Sequence, residues 1–248
     1  MLFMAQVRFA EILLVQRHVP AIQDAIRAQF PIFKRSVIKS LSFENGTPTI
    51  SDNEIWHFED VQSTTGLVLT RDSISFQTTA YKTFELALPI FEESIRAIHQ
   101  ILSIGAATRC GLRYIDVIYP GEAQSLATYL RPEILGLYVS KLDMEPLVQM
   151  SVYTGKSPLG RLVVKFSTSS TPNVLPPDLA PITLNLNLQI PEGASVGTLD
   201  FDHFADIAEV FSVERVCKLL GDLHDAIALA FDACVMPEAL ELWGKRNA

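Results

Sequence analysis

"GLRYIDVIYP", residues 111–120, is the stretch whose reading decides the fold. Branched and aromatic residues dominate it, which favours a β-strand. Leu112, Ile115, Val117 and Ile118 require an apolar core, whereas Arg113 and Asp116 require water or a partner. Side chains alternate along a strand, so two charges three residues apart point to opposite faces. A strand that is apolar and charged on both faces belongs inside a sheet, with ion pairs to make.

The same pattern stands near the start of the chain. "VRFAEILL" (7–14) aligns without a gap on "LRYIDVIY" (112–119), matching Arg8 with Arg113, Phe9 with Tyr114, Glu11 with Asp116 and Ile12 with Val117. Hydrophobic periodicity repeats on a larger scale: strand, helical connection, a run of strands, long helix, then the same again. The expectation is an α+β fold of two similar lobes, a pseudo-duplication. Each lobe is an antiparallel meander sheet backed by a long amphipathic helix. The division falls at 1–106 for the N-terminal lobe and 107–248 for the C-terminal lobe, or the two form one continuous globular domain. If the two matching strands pair antiparallel, one register places Arg8 opposite Asp116 and Glu11 opposite Arg113. Cross-strand ion pairs contribute about 0.2–1 kcal/mol each, and a slip by one residue would turn every side chain to the other face.

In the first half, a strand is expected over 7–15 and a short helix from Pro20 to Phe30, with Val19, Ile22, Ile26 and Phe30 at helical spacing. Strands are expected over 36–43, 54–60, 66–70 and 73–77, with turns at Asn45-Gly46, Asp52-Asn53 and Arg71-Asp72. A helix then runs to about Leu102 with Phe91, Ile95, Ile98 and Leu102 on one stripe. In the second half, strands are expected over 147–154, 161–167, 182–190 and 197–202. A Ser/Thr/Pro loop covers 167–181, and a long helix runs from Ser212 to Cys234. Pro237 opens a short closing helix through "ALELWG".

Composition narrows the role. Twenty basic residues against 28 acidic ones give a net charge of −8, and no run of Lys or Arg appears, so direct nucleic-acid binding is disfavoured. No apolar run approaches the roughly 20 residues that span a bilayer, and Arg8 and Glu11 interrupt the apolar start, so neither a membrane anchor nor a signal peptide is expected. Cys110, Cys217 and Cys234 show no metal or redox spacing, which suits a reducing cytoplasm.

Signatures of catalysis are absent. No serine elbow, HExxH pair or Gly-rich phosphate loop occurs. His18, His57, His99, His203 and His224 are scattered, and ordinary core-edge histidines are the simpler reading. Asp200, Asp202, His203 and Asp206 form the densest acidic group, for which a solvent-facing strand edge is simpler than a cation site. Thr183, Asn185, Asn187 and Gln189 share one face of an expected strand, a solvated face before a binding ladder. Trp56 and Phe58 are expected core anchors. No metal and no cofactor are expected. Arg113, Tyr114 and Asp116, with Arg8 and Glu11, are the candidate ligand-binding residues if a cleft lies between the lobes.

"IWHF" (55–58), "GLVLT…ISF" (66–76), "GLRYIDVIYP" (111–120), "LDFDHF" (199–204) and "ALELWG" (239–244) together resemble a sporadically distributed prokaryotic family of about this length, whose function has not been established. The likeness covers nearly the whole chain and is weakest at the amino-terminal strand. These are packing motifs, so the resemblance transfers no catalytic residue. Its patchy distribution implies an accessory locus of the defence or toxin–antitoxin kind. The resulting expectation is a cytoplasmic interaction or regulatory protein that meets a protein partner or a second copy of itself. The alternative is a small-ligand binder or enzyme.

Overall fold

The computed structural model describes the chain except residues 45–46, 122–123, 137–147, 170–173, 180–181, 187, 189 and 244–248, and except the side chains of 40–51. Two strands form its centre, β1 (Leu2–Phe9) and β6 (Ala106–Ile118). They pair antiparallel, with Phe3 opposite Tyr114, Ala5 opposite Leu112 and Val7 opposite Cys110. All six side chains are buried on one face. Outward from β1 lie β5 (Ser73–Thr78), β4 (Thr65–Leu69), β3 (Thr47–Glu59) and β2 (Ile32–Glu44). Outward from β6 lie β9 (Val196–Val210), β8 (Arg161–Ser169) and β7 (Met150–Lys156). Every neighbouring pair is antiparallel, so nine strands make one unbroken sheet across the 106/107 boundary.

Helices cover one face. In α2 (Phe84–Leu102), the stripe Phe84, Phe91, Ile95, Ile98 and Leu102 is buried, as its spacing predicts. In α3 (Val213–Cys234), Val216, Leu220, Leu223, Ile227 and Phe231 do the same, and the Ser212 hydroxyl caps the first turn by accepting from the Arg215 N–H. These helices meet each other over β6, β9 and β1, and α1 (Val15–Ile26) packs beside α2. A short α4 (Pro237–Leu242) closes the described chain. One apolar core joins residues from both sides of the centre, including the anchors Trp56 and Phe58.

Several expectations are corrected. β1 and β6 do pair, but the matching octets do not meet: Arg8 lies opposite Arg109, Arg113 opposite Met4, and residues 10–14 fall outside β1. The expected ion pairs do not form: Arg8 bonds Asp72 at 2.5 Å, and Glu11 lies 3.9 Å from Arg71. The reason is parity. A register with Arg8 opposite Asp116 would put Phe3, Ala5 and Val7 on the face away from Leu112 and Tyr114. Burying one such side chain is worth about 1.5–3 kcal/mol, which outweighs a pair worth about 0.2–1 kcal/mol.

The apolar stripe also moves the start of α1 back to Val15, leaving Pro20 inside the helix and ending the preceding strand at Phe9. Asp52-Asn53 is not a turn, because β3 runs through it opposite Ile38 and Lys39. The turn at Asn45-Gly46 lies outside the described residues. The described part of 182–190 forms no strand. "TLDFD" lies beside the central strand β6, far from either edge.

A contrast in stability is expected from this register. Leu112→Ala should cost about 2–5 kcal/mol in denaturant titration. Arg8→Ala should cost less than about 1 kcal/mol, since its ion pair is exposed. The reverse order would mean that charge sets the central register.

Candidate functional site

Even-numbered residues of β1 and β9 and odd-numbered residues of β6 point to the face without helices. That second face is polar and partly buried. Arg113 projects from β6, and its Nε and Nη2 each donate to an Asp200 carboxylate oxygen at 2.8 Å. Asp200 is 3% exposed, and Lys165 reaches it at 3.8 Å. The outer edge of the same guanidinium holds Asp178 through Nη1 at 2.6 Å and Nη2 at 3.2 Å. Burial opposes the Arg113 charge, but the two carboxylates outweigh it and raise its pKa. Asp202 is pushed up by burial against the pull of Arg109, which also lies 3.9 Å over the Phe204 ring.

A second polar group lies across the sheet. His57 and Glu59 alternate with Trp56 and Phe58 on β3, so they face away from the helices. Lys34 of β2 bonds Glu59 at 2.8 Å. Burial works against the Glu59 charge, yet the Lys34 ammonium and nearby Thr183 and Ser63 hydroxyls hold its carboxyl below the usual range. Its other oxygen, Oε1, is buried without a well-aligned hydrogen bond among the described residues. His57 Nε2 lies 2.9 Å from the Ser36 hydroxyl, and desolvation lowers its pKa, so it is neutral near pH 7.

One segment ties these groups together. Residues 174–179 and 182–186 cross the second face from β9 to the β3–β4 turn. The Thr198 hydroxyl donates to the Val174 carbonyl, and Asp178, in the 3-10 turn Pro177–Leu179, takes Arg113. Thr183 Oγ1 approaches His57 Nδ1 at 3.4 Å, and the Asn185 N–H donates to the Ser63 carbonyl at 2.7 Å. This segment supplies what the sequence does not announce: a polar face is sealed by a crossing chain. Asp178 sits in the Ser/Thr/Pro loop, and no residue spacing relates it to Arg113.

The candidate ligand residues are therefore dispersed. Arg113 is enclosed by two carboxylates on the second face. Tyr114 points to the helices, where its hydroxyl lies 2.8 Å from His224 Nδ1 and Phe84 stacks on that imidazole at 4.2 Å. Asp116 shares the helix-facing parity of Tyr114, opposite Leu199. Arg8 and Glu11 are exposed, near the far end of β1. No cleft gathers the five. Among the described residues, no cluster of three His, Cys, Asp or Glu is arranged for a metal, and no helix is long and apolar enough to cross a membrane. The Cys110 and Cys217 thiols are pushed up to about 12 by burial, and Cys234 to about 11.

The two edges of the sheet differ. Along β2, Lys34, Arg35 and Lys39 stand among Phe33, Val37 and Ile38. Edge lysines discourage pairing with another chain. Along β7, Met150 is 68% exposed, Val152 57% and Tyr153 63%, with no charge before Lys156. Among the described residues no strand pairs with its outer side. The adjoining turn is pinned to the core, because the Ser157 hydroxyl lies 2.9 Å from Nε2 of the fully buried His203. Comparison with family models, curated proteins and solved structures gives no significant match to this chain.

This chemistry has two measurable outcomes. The folded protein should resist alkylation at Cys110 and Cys234 at pH 8 and label slowly at the half-buried Cys217, with full labelling after denaturation, read by mass spectrometry; fast native labelling of Cys110 or Cys234 would contradict their burial. The Arg113 guanidinium holds the Asp178 carboxyl below its usual range. A depressed folded pKa stabilises the attached segment above about pH 4 and loses that contribution as pH falls through the folded value. The protection factor of the Asn185 amide, its exchange rate corrected for the intrinsic pH dependence, should fall on acidification, and Asp178→Asn should lower it already at pH 7. Asp200→Ala, which strips a buried partner from Arg113, should instead cost about 3–5 kcal/mol of global stability.

Proposed function

We propose that this chain is an interaction protein that receives an extended segment of a partner protein along the open edge of β7. The observation that carries this reading is the unprotected apolar edge. Met150, Val152 and Tyr153 are exposed on a strand whose outer backbone groups have no described partner. An added strand would satisfy those groups and cover the side chains, the physical basis of β-augmentation. A rigid turn at Ser157 presents the edge in one conformation, which lowers the entropy lost on binding.

The reading includes a cytoplasmic location, supported by three unpaired cysteines, and a partner that is a protein. It also takes the sheet as a doubled unit, supported by strand order: β1, β5, β4, β3 on one side follow the same path as β6, β9, β8, β7 on the other. The resemblance to a sporadically distributed prokaryotic family suits a chain from an accessory locus, where small binding proteins regulate or neutralise others. A ligand-binding role rests on a different observation, the buried Oε1 of Glu59 without a well-aligned hydrogen bond among the described residues, and would use Glu59 and His57 in place of Arg113 and Tyr114.

Val152→Lys places a gatekeeping charge on the edge without touching the core. In capture from native-host extract followed by mass spectrometry, it should lose partners that wild type retains, while Val37→Lys on β2 keeps them. Circular dichroism should show both variants folded. Equal capture by all three proteins would remove β7 as the docking edge.

A further inference from the structure

We infer that the segment docking on β7 is an apolar strand that carries aspartate or glutamate where it runs beside Lys156; this rests on the reading of β7 as the docking edge. Although the chain carries a net charge of −8, it has no Asp or Glu between Glu145 and Asp178. Both strands β7 and β8 lie in that interval, with Lys156, Arg161 and Lys165 as their charged residues. Register brings these cations together. Lys156 stands directly opposite Arg161, and Val152 opposite Lys165, so all four side chains lie on the second face. Like charges directly opposite on a sheet repel. Lys156 and Arg161 are exposed, and neither ion-pairs with a carboxylate among the described residues.

A strand added outside β7 would place its alternate side chains beside Met150, Val152, Thr154 and Lys156. Apolar residues would match the first two, and a carboxylate would match Lys156. Strands are about 4.8 Å apart, so Arg161, directly opposite Lys156, would lie roughly 10 Å from that carboxylate, inside the screening length only at low ionic strength. Acidic residues on the partner would relieve the repulsion already present between Lys156 and Arg161. A second copy of β7 would add cations to cations, which disfavours self-pairing. Nucleic acid would meet the cations but leave the strand's amide and carbonyl groups unmatched.

The test uses the full chain with a valine-rich peptide matched to β7 in length that carries glutamates at the end falling beside Lys156, a counterpart with lysines there, and oligothymidylate. Binding is read by fluorescence anisotropy at low and high salt, and the site by hydrogen exchange in β7. The glutamate peptide should protect β7 and bind about tenfold more tightly than the lysine peptide, with the gap narrowing as salt rises. Lys156→Glu with Arg161→Glu should reverse that preference, and the milder Lys156→Gln with Arg161→Gln should abolish it. Val152→Lys should weaken the glutamate peptide although it adds positive charge. If both peptides protect β7 equally, the acidic partner is wrong while the docking edge stands. Should neither protect β7, both readings fail. Oligothymidylate competing with the glutamate peptide would overturn the inference in favour of a nucleic-acid surface.

Discussion

The structure depends on the parity of one strand pair. Phe3, Ala5 and Val7 must share a face with Tyr114, Leu112 and Cys110, because α2 and α3 have apolar stripes for only one side of the sheet. That constraint sets the register of β1 against β6, and each later strand extends outward from it. It also dictates where charge can go. Arg113, one residue from Tyr114, has to point to the face without helices, and Arg8 has to face Arg109 in place of an acid.

The second face is arranged around that obligation. A largely buried guanidinium cannot stand alone, and Asp200 from the neighbouring strand supplies a bidentate partner. Asp178 takes the outer edge of the same group and holds the 3-10 turn Pro177–Leu179 on that face. At the other end, Asn185 hydrogen-bonds the β3–β4 turn and Thr183 covers His57 and Glu59. Charges that suggest a ligand site thus make an internal clasp. The same logic explains why Tyr114 and Arg113, adjacent in sequence, serve different neighbours.

The two edges of the sheet differ in chemistry. β2 holds lysine and arginine among its apolar residues, the pattern that keeps sheets from joining, whereas β7 exposes methionine, valine and tyrosine over a rigid turn. The acidic chain concentrates cations beside that second edge.

Period and composition in the sequence determined the elements themselves: the stripes of α2 and α3, the strands β4, β5, β6 and β8, and the core role of Trp56 and Phe58. These are local properties, since burial on one face writes itself into spacing. Register, partners and edges belong to the tertiary structure alone. The alternation in "ITLNLNLQI" has the period of a strand, yet its described residues serve as a crossing segment because its neighbours are side chains and a turn, with no free strand edge to join. Asp178 and Asp200 became the partners of Arg113 because folding brought distant segments beside it, over a separation that no local pattern encodes. Likewise, exposed apolar residues on β7 look in sequence like any half-buried strand. Only the order of strands decides which of them has no neighbour among the described residues.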